Sequence, residues 1–321
     1  MTIIIETNDL TKVFPPNIIA VDQISLAIRE GEIFSFLGPN GAGKTTTVRL
    51  LTTLLKPTSG RATVNGFDIL NDSLELRKNI GILTDRPNLY LRLTAKRNLL
   101  FFAKMYGMVH EEALRRIKEM ARKFELADRL DSQVGSYSKG MKQKLGILRA
   151  MIHTPPILFL DEPTAGLDPL AQSSVRETIE KAAEIDTTIF MTTHNLPEAE
   201  KLADMIGVIN KGKLVVQGST ADLRSQMSKS KKLRIKCLNK TVDYQSFIQN
   251  IEGVSSAYIL EDGYTIELEV TNFNEVTPLV VRFLVENGIS ILEVQPTKKS
   301  LEEIYKDIMG VSNRGDRIHA A

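Results

Sequence analysis

A short glycine-rich stretch carries the residue types and the spacing that can grip a phosphate. Residues 38–45 read GPNGAGKT and fit the pattern G-x-x-x-x-G-K-[ST] at every fixed position. Glycines let backbone N–H groups close on phosphate oxygens, and a helix that follows points its N-terminus at the anion. In that setting the Lys44 ammonium would reach the terminal phosphates, and the Thr45 hydroxyl would hold Mg²⁺. A strand-to-helix turn that binds nothing is the alternative interpretation.

A pair of carboxylates follows an apolar run farther along the chain. The residues ILFL at 157–160 predict a strand inside a parallel sheet, and Asp161 and Glu162 come directly after it. A carboxylate at such a strand end suits a nucleotide-bound Mg²⁺, and the next residue would face the terminal phosphate, where an attacking water sits. Asp161 is therefore the candidate metal residue and Glu162 the candidate base. A solvated strand end or a helix cap is the other interpretation.

Periodicity and turn signals predict the elements that position these residues. Strands are expected at residues 3–10, 20–29, 32–37 and 80–84. Helical spacing follows the glycine-rich stretch, and further helices run from Thr94, over residues 111–124 and from Ser138, as an insert between strands. Phe14 precedes the turn at residues 15–17, where it is either a stacking surface for an adenine ring or a core aromatic.

Composition narrows the class of protein. A chain of 321 residues exceeds the roughly 150 residues of one domain, so two domains are expected. Hydrophobic residues make up 42% and charged residues 25%, as in ordinary soluble proteins, and the net charge of +2 does not favour nucleic acid as a partner. With Cys237 as its single cysteine, the chain is expected in a reducing cytoplasm. The N-terminus predicts a strand, not a signal peptide, and no apolar run nears the roughly eighteen residues of a membrane span.

The succession of motifs resembles the ATPase subunit of an ATP-binding cassette (ABC) transporter. Besides the glycine-rich stretch and the carboxylate pair, it includes YSKGM at 137–141, AGLD at 165–168 and TTH at 192–194, in the order that the family shows. The resemblance covers about residues 3–220. It implies an α/β P-loop NTPase of ABC type with a β subdomain and a helical insert at about 94–152, in a nucleotide-binding domain at residues 1–227.

The resemblance also implies roles for single residues, with ATP and Mg²⁺ as ligands. Phe14 corresponds to the adenine-stacking aromatic, which favours stacking over a core role. Glu162 and His194 would be catalytic, with His194 at the γ-phosphate, although a lone histidine after a strand is more often structural. The implied metal ligands are Thr45, Asp161 and Asp85. The implied ATP contacts are Gly38, Pro39, Asn40, Gly41, Ala42, Gly43, Lys44, Thr45 and Thr46.

In this family two subunits close head to tail around two nucleotides. Ser138 and Gly140 lie at a predicted helix N-terminus, which is a ready anion site. The resemblance implies that they meet the ATP bound to the other subunit and that Asp168 sits at the seam. The expected partner is thus a second copy of the chain or a paralogous ATPase chain.

The sequence departs from the family pattern at a few positions. Where a glutamine usually follows the strand that precedes the helical insert, this chain has Asp85. A carboxylate can still ligate Mg²⁺, whereas the alternative is that Asp85 caps the turn before Pro87. Tyr137 and Lys139 also differ from the usual signature, in a form similar to the type-2 exporter branch.

Residues beyond 227 predict a second, smaller domain. A polar linker at 228–232 is followed by the order strand, helix, strand, strand, helix, strand, which indicates a ferredoxin-like α+β domain over residues 233–310. The lysines of the linker favour a solvated hinge over a lipid or nucleic-acid site. The segment from Lys299 to Tyr305 resembles the ending of the accessory domain on type-2 exporter ATPases, and residues 311–321 are expected to be a flexible tail.

Two classes of function remain open at this point. The first is an ATP-hydrolysing subunit that powers a separate membrane permease, an exporter, from the cytoplasmic face of the cell membrane. The second is a soluble ABC ATPase that acts on ribosomes or nucleic acid. Members of the second class usually carry two cassettes or a long coiled coil, and this chain has one cassette and no long heptad run. The exporter subunit is therefore favoured, and no nucleic-acid partner is expected.

Overall fold

Strands and helices both make up the first of the two units into which the chain divides, Met1–Ser219. The computed structural model describes residues 2–85, 87–185, 187–227, 231–241, 244–260, 262–297 and 305. The strands of this unit are β1 (Ile3–Phe14), β2 (Ile18–Arg29), β3 (Ile33–Leu37), β4 (Ser59–Val64), β5 (Phe67–Asp68), β6 (Ile80–Leu83), β7 (Ile157–Asp161), β8 (Thr188–Thr193), β9 (Met205–Asn210) and β10 (Lys213–Gly218). Its helices are α1 (Lys44–Leu51), α2 (Ser73–Lys78), α3 (Ala95–Met105), α4 (His110–Lys123), α5 (Lys139–Met151), α6 (Pro169–Ala183) and α7 (Leu196–Leu202).

Fully buried strands form the centre of the larger sheet, whose order is β10-β9-β3-β8-β7-β6. Every residue of β3, β7 and β8 is buried, and these strands pair in parallel. Such burial is expected of a parallel sheet whose two faces are both covered, because neither face meets water. The carboxyl ends of β3, β8 and β7 therefore lie side by side at one edge, and the residues that follow these strands are brought together there.

Alternate residues of the central strands serve different cores. Phe34 and Phe36 pack with Phe159 and Phe190 on one face, where the ring centroids of Phe34 and Phe190 are 5.4 Å apart. This face is covered by α1 and by an antiparallel sheet of order β2-β1-β4-β5. On the opposite face, Leu160 packs among residues of α3, α4 and α5. Burial of a large apolar side chain stabilises a fold by roughly 1.5–3 kcal/mol. Side chains on both faces of the sheet are buried in this way, so packing on both faces fixes the positions of the strand ends.

The first hairpin is longer than the sequence predicted. β1 continues to Phe14, and β2 begins at Ile18, with these two residues paired across the hairpin. Polar residues such as Thr11 and Lys12 broke the apolar pattern on which the prediction relied. The strand persists there because its backbone pairs with β2 on one side and with β4 on the other, through several register shifts. The predicted turn at residues 15–17 is confirmed.

The helical insert between β6 and β7 matches the prediction from sequence. Thr94 is the N-cap of α3 and its hydroxyl accepts a hydrogen bond from the Arg97 N–H at 3.2 Å. Ser138 is the N-cap of α5, as predicted from its position before an apolar stripe. The helix predicted from residue 111 is α4, which begins one residue earlier, at His110.

The second unit, Thr220–Ala321, has a split βαβ arrangement. It comprises α8 (Thr220–Met227), β11 (Lys231–Cys237), α9 (Gln245–Gln249), β12 (Val254–Ile259), β13 (Thr265–Val270), α10 (Phe273–Glu286) and β14 (Ile291–Thr297). The sheet order is β12-β13-β11-β14, with every recorded pair antiparallel. The predicted ferredoxin-like fold is therefore confirmed. One buried core, which includes Leu233, Ile266 and Val280, lies between the sheet and its helices.

The predicted linker and tail are only partly within the described residues. Lys231 and Lys232 belong to β11 and not to a linker, because they pair with Val270 and Glu269 of β13. Residues 228–230 and 311–321 lie outside the described residues, and of the segment from Lys299 to Tyr305 only Tyr305 is described. The division at residue 219 places α8 with the second unit, and the domain limits drawn at 227 and 310 stay predictions. In the described part of the chain, no helix is both long and apolar enough to cross a membrane.

Candidate functional site

The glycine-rich loop connects the end of β3 to the start of α1. A methyl group on Gly38 would lie 2.4 Å from the carbonyl oxygen of Ile209, so only glycine fits where the loop passes β9. Gly43 is the N-cap of α1 with φ of 110°, a left-handed conformation that glycine adopts without strain. The backbone N–H groups of the first turn of α1 have no acceptor within the helix, and they are available to an anion in the loop.

Lys44 is buried against this loop, with 5% of its surface exposed. Its Nζ donates to the carbonyl oxygens of Gly38 at 2.7 Å and Pro39 at 3.1 Å. The same ammonium lies 3.1 Å from Glu162 Oε1, which supplies the opposite charge. The fold thus brings the lysine of the loop to the carboxylate that follows β7. A bound phosphate in the loop would offer Lys44 a second anionic partner.

Asp161 and Thr45 meet beside the loop. Asp161 is 3% exposed, and its Oδ1 accepts hydrogen bonds from Thr45 Oγ1 at 3.2 Å and Thr192 Oγ1 at 2.6 Å. A hydroxyl and a carboxylate are the hard oxygen donors that Mg²⁺ prefers. These two side chains lie on different elements, α1 and β7, next to the loop that would hold phosphates. The donor set therefore fits a Mg²⁺ bound together with a nucleotide.

Glu162 lies between Lys44 and His194. Its Oε1 contacts the lysine, and its Oε2 accepts a hydrogen bond from His194 Nδ1 at 2.7 Å. The φ angle of Glu162 is 52°, which is unusual for a residue other than glycine. Its backbone N–H donates to two oxygens of Thr192, the carbonyl oxygen at 3.2 Å and Oγ1 at 3.1 Å. The Glu162 side chain is 17% exposed and that of His194 is 50% exposed, so water can reach this pair. The arrangement can remove a proton from such a water.

Ser138, Gly140 and Asp168 form a second group, at the starts of α5 and α6. Ser138 Oγ accepts from Met141 N–H at 3.2 Å, and Asp168 Oδ1 accepts from Ala171 N–H at 3.0 Å. A methyl group on Gly140 would lie 2.9 Å from the Ala171 Cβ, so the two helices approach closely at this point. Ser138 and Asp168 are exposed on the subunit. Among the described residues, no hydrogen bond joins this group to Lys44 or Glu162.

Phe14 and Asp85 make no hydrogen bond to the central cluster among the described residues. Phe14 ends β1, is partly exposed, and has the Lys12 ammonium 5.2 Å from its ring centroid. Asp85 is exposed just beyond β6, at the same edge of the sheet as Asp161, because Leu83 pairs with Leu160. In the described part of the chain, no hydrogen bond connects Asp85 with Thr45 or Asp161. Its metal role stays a prediction, as does the stacking role of Phe14.

Two polar residues of the cluster were not singled out from sequence. Thr192 was only part of a motif, yet its hydroxyl connects to Asp161 and to the Glu162 N–H. Glu198 is 2% exposed and accepts hydrogen bonds from Thr164 and Thr193. Burial raises the pKa of the Glu198 carboxyl, and these hydrogen bonds oppose that rise. The sequence carries a weak signal for a helix start here, because Asn195 is followed three residues later by Glu198. In the structure Asn195 caps α7 and its Oδ1 accepts from the Glu198 N–H at 3.3 Å.

The fold and the cluster together define a P-loop ATPase. The family described as "ABC transporter" matches residues 21–165, and the one described as "ATP-binding protein DrrA1-3-like, C-terminal domain" matches residues 218–309. The bacitracin transport ATP-binding protein BcrA of Bacillus licheniformis is 35% identical over 311 residues, 97% of this chain and 98% of that one. The daunorubicin resistance ATP-binding protein DrrA3 of Streptomyces coeruleorubidus is 32% identical, with 92% of each chain covered.

Solved structures agree with this assignment. An ATP-binding subunit of an ABC transporter superposes with a TM-score of 0.63 at 32% identity, over 70% of this chain and 93% of that chain. A dimeric bacterial ABC transporter cassette gives a TM-score of 0.61 at 28% identity, over 67% and 98%. The chain belongs to the ABC transporter family of ATP-binding proteins. It is an ATPase that binds ATP with Mg²⁺, and the resemblance found in its sequence is confirmed.

Proposed function

We propose that this chain is the ATPase subunit of an exporter and powers a separate membrane permease through ATP-driven closure of a head-to-tail dimer. The observation that carries the proposal is the extent of the match, which continues through the second unit and covers 98% of BcrA and 92% of DrrA3. BcrA is named for bacitracin transport, LnrL of Bacillus subtilis for linearmycin resistance, and DrrA3 for daunorubicin resistance. A role in moving a compound out of the cell follows.

In the proposed reaction, Glu162 takes a proton from the attacking water. Its position favours this role, because its carboxylate is partly exposed and is oriented by His194 on one oxygen and Lys44 on the other. Lys44 and the N–H groups at the start of α1 neutralise the phosphates. Mg²⁺, when bound, neutralises charge on the phosphate oxygens, and Thr45 and Asp161 would hold it. His194 orients the terminal phosphate.

The second half of each site comes from the other subunit. Ser138, Gly140 and Asp168 lie at two exposed helix N-termini, and helix N-termini favour anions. Among the described residues no hydrogen bond joins them to Lys44 or Glu162, which supports a role across an interface instead of within one subunit. The partner is a second copy of this chain or a related ATPase chain. The dimeric cassette among the solved structures is consistent with such an arrangement.

An aromatic surface on the helical insert supports docking to a permease. Tyr90 and Phe101 are 49% and 43% exposed, and their ring centroids are 5.1 Å apart, next to Phe102. A cavity of about 260 Å³ adjoins them, lined by Phe102 and Tyr106 together with Arg77 and Arg149. Aromatic side chains and arginines are enriched at protein interfaces, and exposed apolar patches mark interaction sites. Such docking would place the chain on the cytoplasmic face of the membrane.

Reconstitution tests the proposal directly. The Glu162→Gln variant of the full chain, held with MgATP, should copurify from solubilised membranes with one membrane protein. The parent chain and that protein, combined in lipid vesicles, should hydrolyse ATP several times faster than the chain alone. Phe101→Glu should lower both copurification and stimulation, whereas Val215→Glu, at an exposed position of β10, should not. Stimulation by ribosomes or nucleic acid, with none by the membrane protein, would overturn the proposal.

A further inference from the structure

Glu198 is a buried carboxylate in the first turn of α7, and the proposed reaction gives it no role. Its side chain is 2% exposed. Oε1 accepts a hydrogen bond from Thr164 Oγ1 at 2.5 Å, and Oε2 accepts one from Thr193 Oγ1 at 2.6 Å. A buried carboxylate is costly unless it is hydrogen-bonded, and an apolar residue would fill the position without that cost. Here both carboxylate oxygens are hydrogen-bonded, which offsets the cost of their burial.

The two hydroxyls belong to the two segments that carry the hydrolytic residues. Thr164 follows Glu162 by two residues in the loop after β7, and Thr193 directly precedes His194 at the end of β8. The backbone ladder between β7 and β8 ends at the pair Asp161 and Thr192. Beyond that pair the His194–Glu162 hydrogen bond joins the two segments, and the Glu198 carboxylate connects them again through its two oxygens.

Three consecutive residues at the end of β8 each bond to a different carboxylate. Thr192 donates to Asp161, Thr193 to Glu198 and His194 to Glu162, at 2.6, 2.6 and 2.7 Å. The first carboxylate belongs to the candidate metal site and the third to the candidate base. The middle one, Glu198, is buried and also accepts from Thr164 in the segment that follows Glu162.

Backbone strain explains why such a connection is required. Glu162 has φ of 52°, a conformation that persists only where surrounding contacts hold it. Its N–H is held on one side by Thr192. On the other side, Ala165 N–H donates to the Glu162 carbonyl oxygen at 3.2 Å, and Thr164 is fixed by Glu198. The loop is therefore fastened immediately before and after the strained residue.

We propose that Glu198 is a positioning residue for ATP hydrolysis, which fixes the loop bearing Glu162 to the strand end bearing His194. The proposal rests on the proposed function, in which these two residues act on the terminal phosphate. Glu198 touches no reacting atom. Its removal lets the base move relative to the histidine, and a displacement of about 1 Å of a catalytic group lowers turnover by roughly a hundredfold. Glu198 contacts neither Lys44 nor the glycine-rich loop in the hydrogen bonds described above, so phosphate binding there should not depend on it.

The test is a steady-state comparison of full-length variants. Glu198→Ala should lower kcat by ten- to a hundredfold, with KM for ATP and the Kd of a fluorescent ATP analogue within about threefold of the parent. Glu198→Gln keeps the shape and can bond both hydroxyls if one of them turns to accept, so kcat should recover to within about threefold. Lys201→Ala, at an exposed position of the same helix, is the control.

Variants of the two hydroxyls provide an independent arm if Glu198→Ala does not fold. Thr164→Val and Thr193→Val should each lower kcat without raising KM, and Thr164→Ser should restore it. Parent-like kcat in Glu198→Ala and in both valine variants would overturn the inference. Equal losses in nucleotide affinity and kcat would do the same, because they indicate a general structural role. Turnover that survives in Glu162→Gln would instead refute the role of Glu162 as base in the proposed function, so the two failures are distinguishable.

Discussion

The His194 ring and the Glu162 carboxylate form a direct hydrogen bond, with Nδ1 and Oε2 2.7 Å apart. Since an ionised carboxylate only accepts, Nδ1 carries the proton in this pair. A phosphate oxygen also only accepts. His194 therefore needs a second proton on Nε2 to bind a phosphate while it stays bonded to Glu162, or it must leave Glu162. The contact makes the orientation of the base depend on the histidine.

The first prediction separates nucleotide binding from hydrolysis. Lys44→Ala should abolish binding of a fluorescent ATP analogue, because the buried ammonium is the cation at the loop. Glu162→Gln should bind normally and lose phosphate release by about a hundredfold or more, because an amide cannot take a proton from water. Glu177→Gln, at an exposed position of α6, is the matched control. Normal turnover in Glu162→Gln would remove it from the role of base.

The second prediction concerns assembly. Glu162→Gln should dimerise in the presence of MgATP and stay monomeric without it, as measured by light scattering. Each charge-assisted hydrogen bond across the interface contributes roughly 1.5–3 kcal/mol. Ser138→Arg in the same background should prevent the dimer by filling the exposed helix start, whereas Asn71→Arg at an exposed turn should not. A monomer under both conditions, with the permease present as well, would count against the head-to-tail arrangement.

The third prediction addresses Asp85. If its carboxylate holds Mg²⁺, Asp85→Asn should raise the Mg²⁺ concentration for half-maximal hydrolysis, because a charged ligand is lost. Asp85→Gln should lower metal affinity modestly and retain coupling to the permease. If Asp85 only caps the turn before Pro87, asparagine preserves the cap. An unchanged Mg²⁺ titration of Asp85→Asn would then assign Asp85 to the turn.

The fourth prediction follows from His153, which stacks on Tyr106 with ring centroids 3.6 Å apart. Burial lowers the pKa of His153 from 6.5 to about 4, although a hydrogen bond to the Ile80 carbonyl opposes the shift. Between these values the unfolded chain binds a proton that the folded chain does not. The free energy of unfolding should therefore fall as the pH drops from 6.5 towards 4.

Denaturant unfolding at several pH values measures this dependence. His153→Phe keeps a ring against Tyr106 and removes the titrating group, so its stability should change less between pH 7 and pH 5 than that of the parent. The variant is expected to be less stable than the parent at pH 7, by about 1 kcal/mol, because the hydrogen bond to Ile80 is lost. An equal pH dependence in both proteins would show that other groups cause the acid destabilisation.

Several features of the site were predictable because their signals are local. The loop from Gly38 to Thr45 is contiguous, and glycine spacing followed by helical periodicity predicts both its shape and its ligand. Asp161 and Glu162 end an uninterrupted apolar strand, which places them at a sheet edge. The split βαβ order of the second unit also came from local patterns.

The sequence by itself thus determined the motifs, most of the elements and the family. Tertiary structure decided which residues meet, because β8 inserts between β3 and β7 although it follows both in the chain. That order brings Thr192 and His194 to the carboxylates of Asp161 and Glu162 at the end of β7, while Thr193 donates to Glu198 of α7. Glu198 shows the same dependence. In sequence it is an ordinary acidic residue in the first turn of a helix, and its burial between two threonines follows only from the packing of α7 on the sheet.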